Sequence, residues 1–160
     1  IIAITLITVG FIMADMEDGD DKWKIYAIHK AVGLIFLVLA LFRWYWLLSN
    51  EQPKSLPGWS KAEIGIGHAT KWLLMLMVLI MPTAGVIMSL AGGHDISFFG
   101  IFTIQALAEE NKAVAGIFHE IHEYGAIIIS IIIGLHILAA LKHHLLKKDQ
   151  TLNRMLGRNK

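Results

Sequence analysis

The eight histidines are the residues of this 160-residue chain whose chemistry is most informative, because the chain contains no cysteine. Without cysteine, the sequence excludes disulfides, thiolate metal sites, iron–sulfur clusters and covalent haem attachment. Histidine is then the common metal ligand that is left. The pattern that matters is therefore which histidines share a helix face and a depth.

His122 and His136 lie fourteen residues apart within one apolar stretch. Fourteen residues are close to four helical turns, so both rings are predicted on roughly one face, about 21 Å apart along the axis. A helical bundle can hold haem between histidines of facing helices, and two haems stacked along the bundle need such a spacing. Two histidines on one iron leave no open position, which suits electron transfer.

Each predicted site needs a second histidine from another helix. His29 begins a different apolar stretch at the depth of His122, so these two histidines are predicted to bind the same haem. The alternative for each is a histidine that is hydrogen-bonded to a backbone carbonyl. His68 is the candidate at roughly the level of His136, whereas His143 is expected at the headgroups, where propionates, lipid phosphates or water would meet it. Surface positions are predicted for the other three histidines: His94, His119 and His144.

Membrane-spanning helices must position these residues. Hydrophobic residues make up 56% of the chain and charged residues 17%, against about 25% charged residues in soluble domains. Stretches 25–48, 66–90 and 121–146 have the roughly 20 apolar residues that a span needs. Stretch 1–14 is apolar but short and lacks an initiator Met, which predicts a truncated first helix; a signal-peptide remnant is the alternative. The predicted fold class is all-α, a transmembrane four-helix bundle that forms one domain over 1–160.

The formal net charge is only +1, which gives no reason to expect a nucleic-acid partner. The charged residues are nevertheless distributed unequally between the loops. The segments between the first two stretches and between the last two are acidic. The loop around Lys54 and the C-terminal tail are basic, so the positive-inside rule places both in the cytoplasm. Segment 106–117 is partly amphipathic, which predicts a helix on the outer surface; an ordinary loop is the alternative.

Several runs of residues resemble the prokaryotic cytochrome b561 family, and together they cover nearly the whole chain. The most specific is the C-terminal run GLHILAALKHHLLKKDQTLNRML at 134–156. The others are IHKAVG at 28–33, GHATKWLLMLMVLIMPTAGVIMS at 67–89, SFFGIFTIQAL at 97–107 and IHEYGA at 121–126.

The resemblance implies a multi-pass protein of the bacterial inner membrane with two non-covalent b-type haems and a quinone partner, ubiquinone or another. It implies that His29 and His122 bind the outer haem iron and that His136 binds the inner one. The family's remaining ligand belongs to a His-Trp pair at the start of the first helix, so this sequence departs from the pattern there, and we expect that ligand upstream of Ile1. Members of the family include superoxide oxidases that reduce ubiquinone and haem subunits that anchor dehydrogenases or hydrogenases through a redox protein partner.

The resulting hypothesis is transmembrane electron transfer through b haems, to or from the quinone pool, in contact with membrane lipid. Lys22 and Lys24 flank Trp23 near the outer site, in an otherwise acidic loop, and would attract an anion such as superoxide. The alternative is that Trp23 is an interfacial anchor and that both lysines are merely solvated. One rival is a divalent-metal transporter or sensor with histidine ligands, which would need more ligands at mid-membrane than His136 supplies. Another rival is a haem-free scaffold subunit.

Overall fold

The computed structural model describes residues 1–52, 58–155 and 157. Three of its helices are long and apolar enough to cross a membrane, and a shorter apolar helix precedes them. This confirms the predicted all-α membrane helical bundle. The elements are α1 (Ile2–Asp15), α2 (Asp20–Ser49), α3 (Lys61–Ala91), β1 (Ile96–Phe98), β2 (Phe102–Ile104), α4 (Lys112–Lys142), a π-helical turn (His143–Lys147) and α5 (Thr151–Met155).

Helices α3 and α4 begin at polar caps that lie outside their apolar centres. Ser60 accepts a hydrogen bond from the backbone N–H of Glu63, and the Glu63 side chain accepts one from the backbone of Ser60, which forms a capping box for α3. Asn111 caps α4 by accepting from the backbone N–H of Val114 at 3.1 Å. Because the caps precede the apolar runs, α3 and α4 are longer than the predicted spans.

Helices α3 and α4 form the central packed pair, with α2 against α3 and α1 against α2. The buried cluster between α3 and α4 consists of Met77, Met81 and Ile129. A Cβ added at Gly125 would lie 2.5 Å from the sulfur of Met81, so the glycine allows the two helices to approach closely. On the other side of α3, the Trp44 indole donates to the Met75 carbonyl at 2.9 Å.

The segment between α3 and α4 corrects one prediction. Residues 106–111 are not helical, and residues from Lys112 onward belong to α4, so no separate surface helix covers 106–117. The amphipathic look of that segment comes from the exposed first turns of α4. Ahead of it, β1 and β2 pair as an antiparallel hairpin in the register Ile96↔Ile104. We call this end of the bundle the hairpin end, and the opposite end, where α4 ends and α5 follows, the tail end.

Candidate functional site

Helices α2 and α4 bring His29 and His122 together near the hairpin end. Their ring centres lie 6.2 Å apart with planes at 84°. A metal–nitrogen bond of about 2.0 Å, added to an imidazole radius of roughly 1.1 Å for ring bonds near 1.33 Å, places two opposed ligand rings about 6.2 Å apart. The separation of the two ring centres in the structure therefore equals the value expected for two imidazoles on one metal ion.

The ring of His122 is fixed by helix α3. Its Nδ1 atom lies 2.9 Å from the carbonyl oxygen of Met81, and since a carbonyl oxygen can only accept, Nδ1 carries the proton. The lone pair then lies on Nε2, the atom left for a metal. Gly85 lies one turn after Met81, and a Cβ there would be 3.1 Å from Cε1 of His122. The absence of a side chain at Gly85 makes room for the imidazole.

The ring of His29 is held less completely. Its Nδ1 atom is buried and has no hydrogen-bond partner among the described residues. A buried polar atom without a partner is energetically costly and often marks a ligand site. Gly10 of α1 lies beside this ring, because a Cβ at Gly10 would be 3.6 Å from its Cε1.

Two cavities adjoin the histidine pair, and their volumes are about 640 and 410 Å³. Both are lined by His29 and His122 together with Gly33 and Pro82. Their volumes fall within the ~300–1,000 Å³ range of cofactor pockets. The donor set, the partnerless nitrogen of His29 and the adjoining space fit a haem whose iron is bound by the two histidines.

Lys30 is a residue of this site that the sequence reasoning missed. It is half-buried and lines the larger cavity, together with His94, Asp95 and His119. The signal was present in the sequence, because a lysine directly after His29 in an apolar helix is costly in a membrane and is a functional candidate by default.

The structure does not bring His136 or His68 into either cavity. His136 is half-buried on α4, and His68 is exposed on α3. The linings of the two cavities contain neither residue. Of the residues predicted for the second haem site, His136 thus lies on α4, fourteen residues after His122, and the structure brings no second histidine to it in these cavities.

His143 lies in a different environment from the predicted headgroup position. It is 7% exposed, and its Nδ1 donates to Oδ2 of Asp149 at 2.6 Å. Its ring packs on Trp59 with centres 4.6 Å apart, and the Trp59 indole donates to the same carboxylate at 3.1 Å. The sequence interpretation was wrong here because the π-helical turn and Lys148, at φ 52°, fold the chain back so that Asp149 reaches His143.

Asp149 is the electrostatic centre of this tail-end cluster. Burial raises the pKa of its carboxyl, but hydrogen bonds from Thr151, His143 and Trp59 outweigh burial and hold that pKa well below its usual range. A second link between the helices, the ion pair of Lys147 with Glu63, lies at the same end. Asp149 holds the Nδ1 of His143, and Trp59 packs against its ring, so the side chain is fixed at the end of α4.

One further group of metal-ligating side chains occurs in the described part of the chain. The ligand atoms of His119, Glu120 and Glu123 lie within 4.8 Å of one another, and all three residues are exposed. They lie on the surface of α4 near the hairpin end and form no path through the bundle. The structure therefore gives no support to a histidine-lined metal transporter.

Comparison with known proteins decides the family. The family model described as prokaryotic cytochrome b561 matches residues 1–158. This chain belongs to the prokaryotic cytochrome b561 family. The resemblance stated from the sequence is confirmed, and so is the prediction of an integral membrane protein.

Three relatives illustrate the relationship within the cytochrome b561 family. Cytochrome b561 homolog 2 of Escherichia coli K12 is 29% identical over 99% of this chain and 85% of its own length. Cytochrome b561 homolog 1 of the same strain is 32% identical over 98% of this chain and 93% of its own. A probable superoxide oxidase, CybB of Yersinia pestis, is 31% identical over 83% of this chain and 75% of its own. Membership makes the chain a membrane electron-transfer cytochrome of a family that binds b-type haem.

Proposed function

We propose that His29 and His122 are the two axial ligands of a b-type haem between α2 and α4. The observation that carries this assignment is the 6.2 Å separation of the ring centres, which matches two imidazoles on one metal ion. When bound, the haem supplies one-electron oxidation and reduction of its iron. Two histidine ligands would leave the haem iron without an open position, which would favour electron transfer over oxygen binding.

The surrounding residues prepare the pair for this task. The Met81 carbonyl fixes the tautomer of His122 and orients its Nε2. Gly85 and Gly10 allow both rings to lie close to helix backbones. Both cavities are lined mainly by apolar surface, and the polarity around the ligand atoms influences the reduction potential.

We also propose His136 as a ligand of a second haem further along the bundle. Its spacing from His122 corresponds to about 21 Å along α4, and the match to the family model extends over the whole of this helix. A chain with both haems would carry an electron from one membrane face toward the other, with the C-terminal tail in the cytoplasm according to the positive-inside rule.

Quinone is the proposed small-molecule partner, and superoxide is a proposed electron donor. The relative named a probable superoxide oxidase supports the latter. In that reaction two superoxide anions each lose one electron and become dioxygen, while one quinone takes up two electrons and two protons and becomes quinol. The alternative within this family is a haem-bearing anchor for a dehydrogenase or hydrogenase, which would receive electrons from a protein subunit.

The structure revises which lysine would attract an anion. Lys22 donates to Asp18 at 2.9 Å and Lys24 to Asp21 at 3.0 Å, and this pairing weakens the positive field of both lysines. Lys30 lines the larger cavity beside His29. It is therefore the better-placed cation for superoxide or for a haem carboxylate.

A reduced-minus-oxidised absorbance spectrum of the purified protein tests the haem assignment. We expect a b-type absorbance band whose intensity falls equally in His29→Ala and in His122→Ala. The matched control His144→Ala, at an exposed histidine of the tail end that lines neither cavity, should keep the full band. His136→Ala should remove a different fraction of the haem. Unchanged haem content in His29→Ala and His122→Ala would contradict the axial assignment. Superoxide-dependent quinone reduction by the chain alone would separate the oxidase from the anchor subunit.

A further inference from the structure

The hairpin between α3 and α4 carries a compact aromatic tip. Phe98 stacks on its cross-strand partner Phe102 with ring centres 4.9 Å apart, and Phe99 packs edge-on against Phe98 at 5.2 Å. The whole run 96–107 contains no charged residue. Such a tip is unusual for a loop that faces water, where polar turn residues prevail.

The tip also exposes much of its apolar surface. Phe99 and Phe102 are 53% and 51% exposed, and Ile101, between them, is 76% exposed. A contiguous exposed apolar surface marks contact with a membrane, a protein or a ligand. We therefore expect another molecule to cover the apolar surface of the tip.

The base of the hairpin holds the tip in a defined position. Ile96 is only 1% exposed, and the carboxylate of Asp95 accepts a hydrogen bond from the backbone N–H of Ala106 at 2.8 Å. The backbone N–H of Leu107 donates to the carbonyl of Leu90 at the end of α3 at 3.1 Å. Because both ends of the hairpin are tied down, the direction of the tip follows from the fold.

The neighbours of the hairpin place it at the depth of the membrane interface. Ile96 lines the same cavity as Trp23 and Tyr26 in the first turns of α2. Helix α2 has 30 residues and is about 45 Å long, which exceeds the roughly 30 Å hydrocarbon core. Asp20 and Asp21 in its first turn stay in water, so the turns with Trp23 and Tyr26 cross the interface, where aromatic residues concentrate.

We propose that the tip of this hairpin, residues 98–102, inserts into the lipid leaflet at the hairpin end of the protein. Lipid is the occupant because β1 packs against α2, whose first turns carry the 56% exposed Trp23. Protein interfaces have a polar rim that surrounds their apolar centre, whereas run 96–107 supplies no charge for one. The proposal is independent of haem binding.

Because the chain contains no cysteine, a single cysteine can report on the depth of the tip. A nitroxide spin label is attached through Ile101→Cys, and the protein is placed in vesicles of purified phospholipid. The measurement is how often the label collides with oxygen and with a water-soluble nickel chelate. Ile101 is preferred to Phe99, whose φ of 50° makes substitution risky. Matched labels at Leu138, 63% exposed on α4, and at the exposed Glu109 provide the lipid and water references.

We expect the nickel chelate to collide severalfold less often with the label at Ile101 than with the label at Glu109, with oxygen showing the opposite order. A label at Phe102→Cys should give the same result if Ile101→Cys alters the fold, and an unchanged elution profile checks folding of either variant. Nickel accessibility equal to that at Glu109 in lipid vesicles would overturn the proposal. Protection that occurs only in native membranes, and not in pure lipid, would do so as well, because the occupant would then be a protein.

Discussion

A methyl group added at Gly85 of α3 would lie 3.1 Å from Cε1 of His122 on α4. That distance is shorter than an ordinary carbon–carbon contact of about 3.5–4.0 Å. A larger side chain must therefore displace the imidazole or separate the two helices. The glycine links the packing of the central helix pair to the position of the proposed ligand.

The first prediction concerns this glycine. Gly85→Leu should push His122 out of line, and the overpacking cost of about 1–3 kcal/mol corresponds to roughly 5- to 150-fold weaker haem retention. Haem per chain after detergent extraction is the measurement. Gly134→Leu is the matched control, because an added Cβ at Gly134 meets no atom within 4 Å, and both changes remove a glycine from the interior of a helix. Equal haem content in the two variants would show that Gly85 does not position His122.

The second prediction concerns the tail-end cluster. Asp149→Asn removes the charge that accepts hydrogen bonds from His143 and Trp59, and should lower the free energy of unfolding by about 2 kcal/mol at neutral pH. Thermal unfolding followed by tryptophan fluorescence measures the change. Glu109→Gln, at an exposed carboxylate of the other end, is the control and should leave the unfolding temperature unchanged.

The same variant has a predicted pH dependence. The pKa of Asp149 is lower in the folded chain than in the unfolded one, so the ionised carboxylate stabilises the protein above the unfolded value of about 3.9. That stabilisation is lost as the pH falls through the lower folded pKa. The difference between wild type and Asp149→Asn should therefore be constant from neutral pH down to about pH 5 and shrink below about pH 4. A difference that grew on acidification would contradict the assignment.

The third prediction tests the link between α2 and α3. Trp44→Phe keeps an aromatic ring but loses the hydrogen bond to the Met75 carbonyl, which should cost about 1 kcal/mol and roughly 2–4 °C in unfolding temperature for a chain of this size. Trp46→Phe is the matched control, since Trp46 is 53% exposed on the same helix. A loss of stability in Trp46→Phe as large as that in Trp44→Phe would refute a specific role for the bond.

The sequence alone was sufficient for the spans, the family and the proposed pair. Long uncharged apolar runs fold as helices in a membrane because no other open structure satisfies their backbone. The pairing of His29 with His122 could be predicted from depth, because rise per residue converts chain position into height along a bundle.

The hydrogen-bond and ion-pair partners of the polar residues could not be predicted from the sequence. Nothing in the residue pattern indicated that His143 would meet Asp149, since a π-helical turn and a left-handed residue at Lys148 bring them together. The same holds for Lys22 and Lys24: the sequence shows that their loop is acidic, but only the structure shows that they pair with Asp18 and Asp21. Local ion pairs and chain reversals depend on backbone geometry that periodicity does not encode.

The sequence by itself thus determined that this is a histidine-rich membrane bundle, because hydrophobicity and helical rise are properties of the chain. Only the tertiary structure decided that the Met81 carbonyl orients His122, that Gly85 makes room for its ring and that the larger cavity is lined by Lys30. These features arise where α2, α3 and α4 meet. Contacts between helices far apart in sequence depend on how the helices rotate and cross, which no single helix specifies.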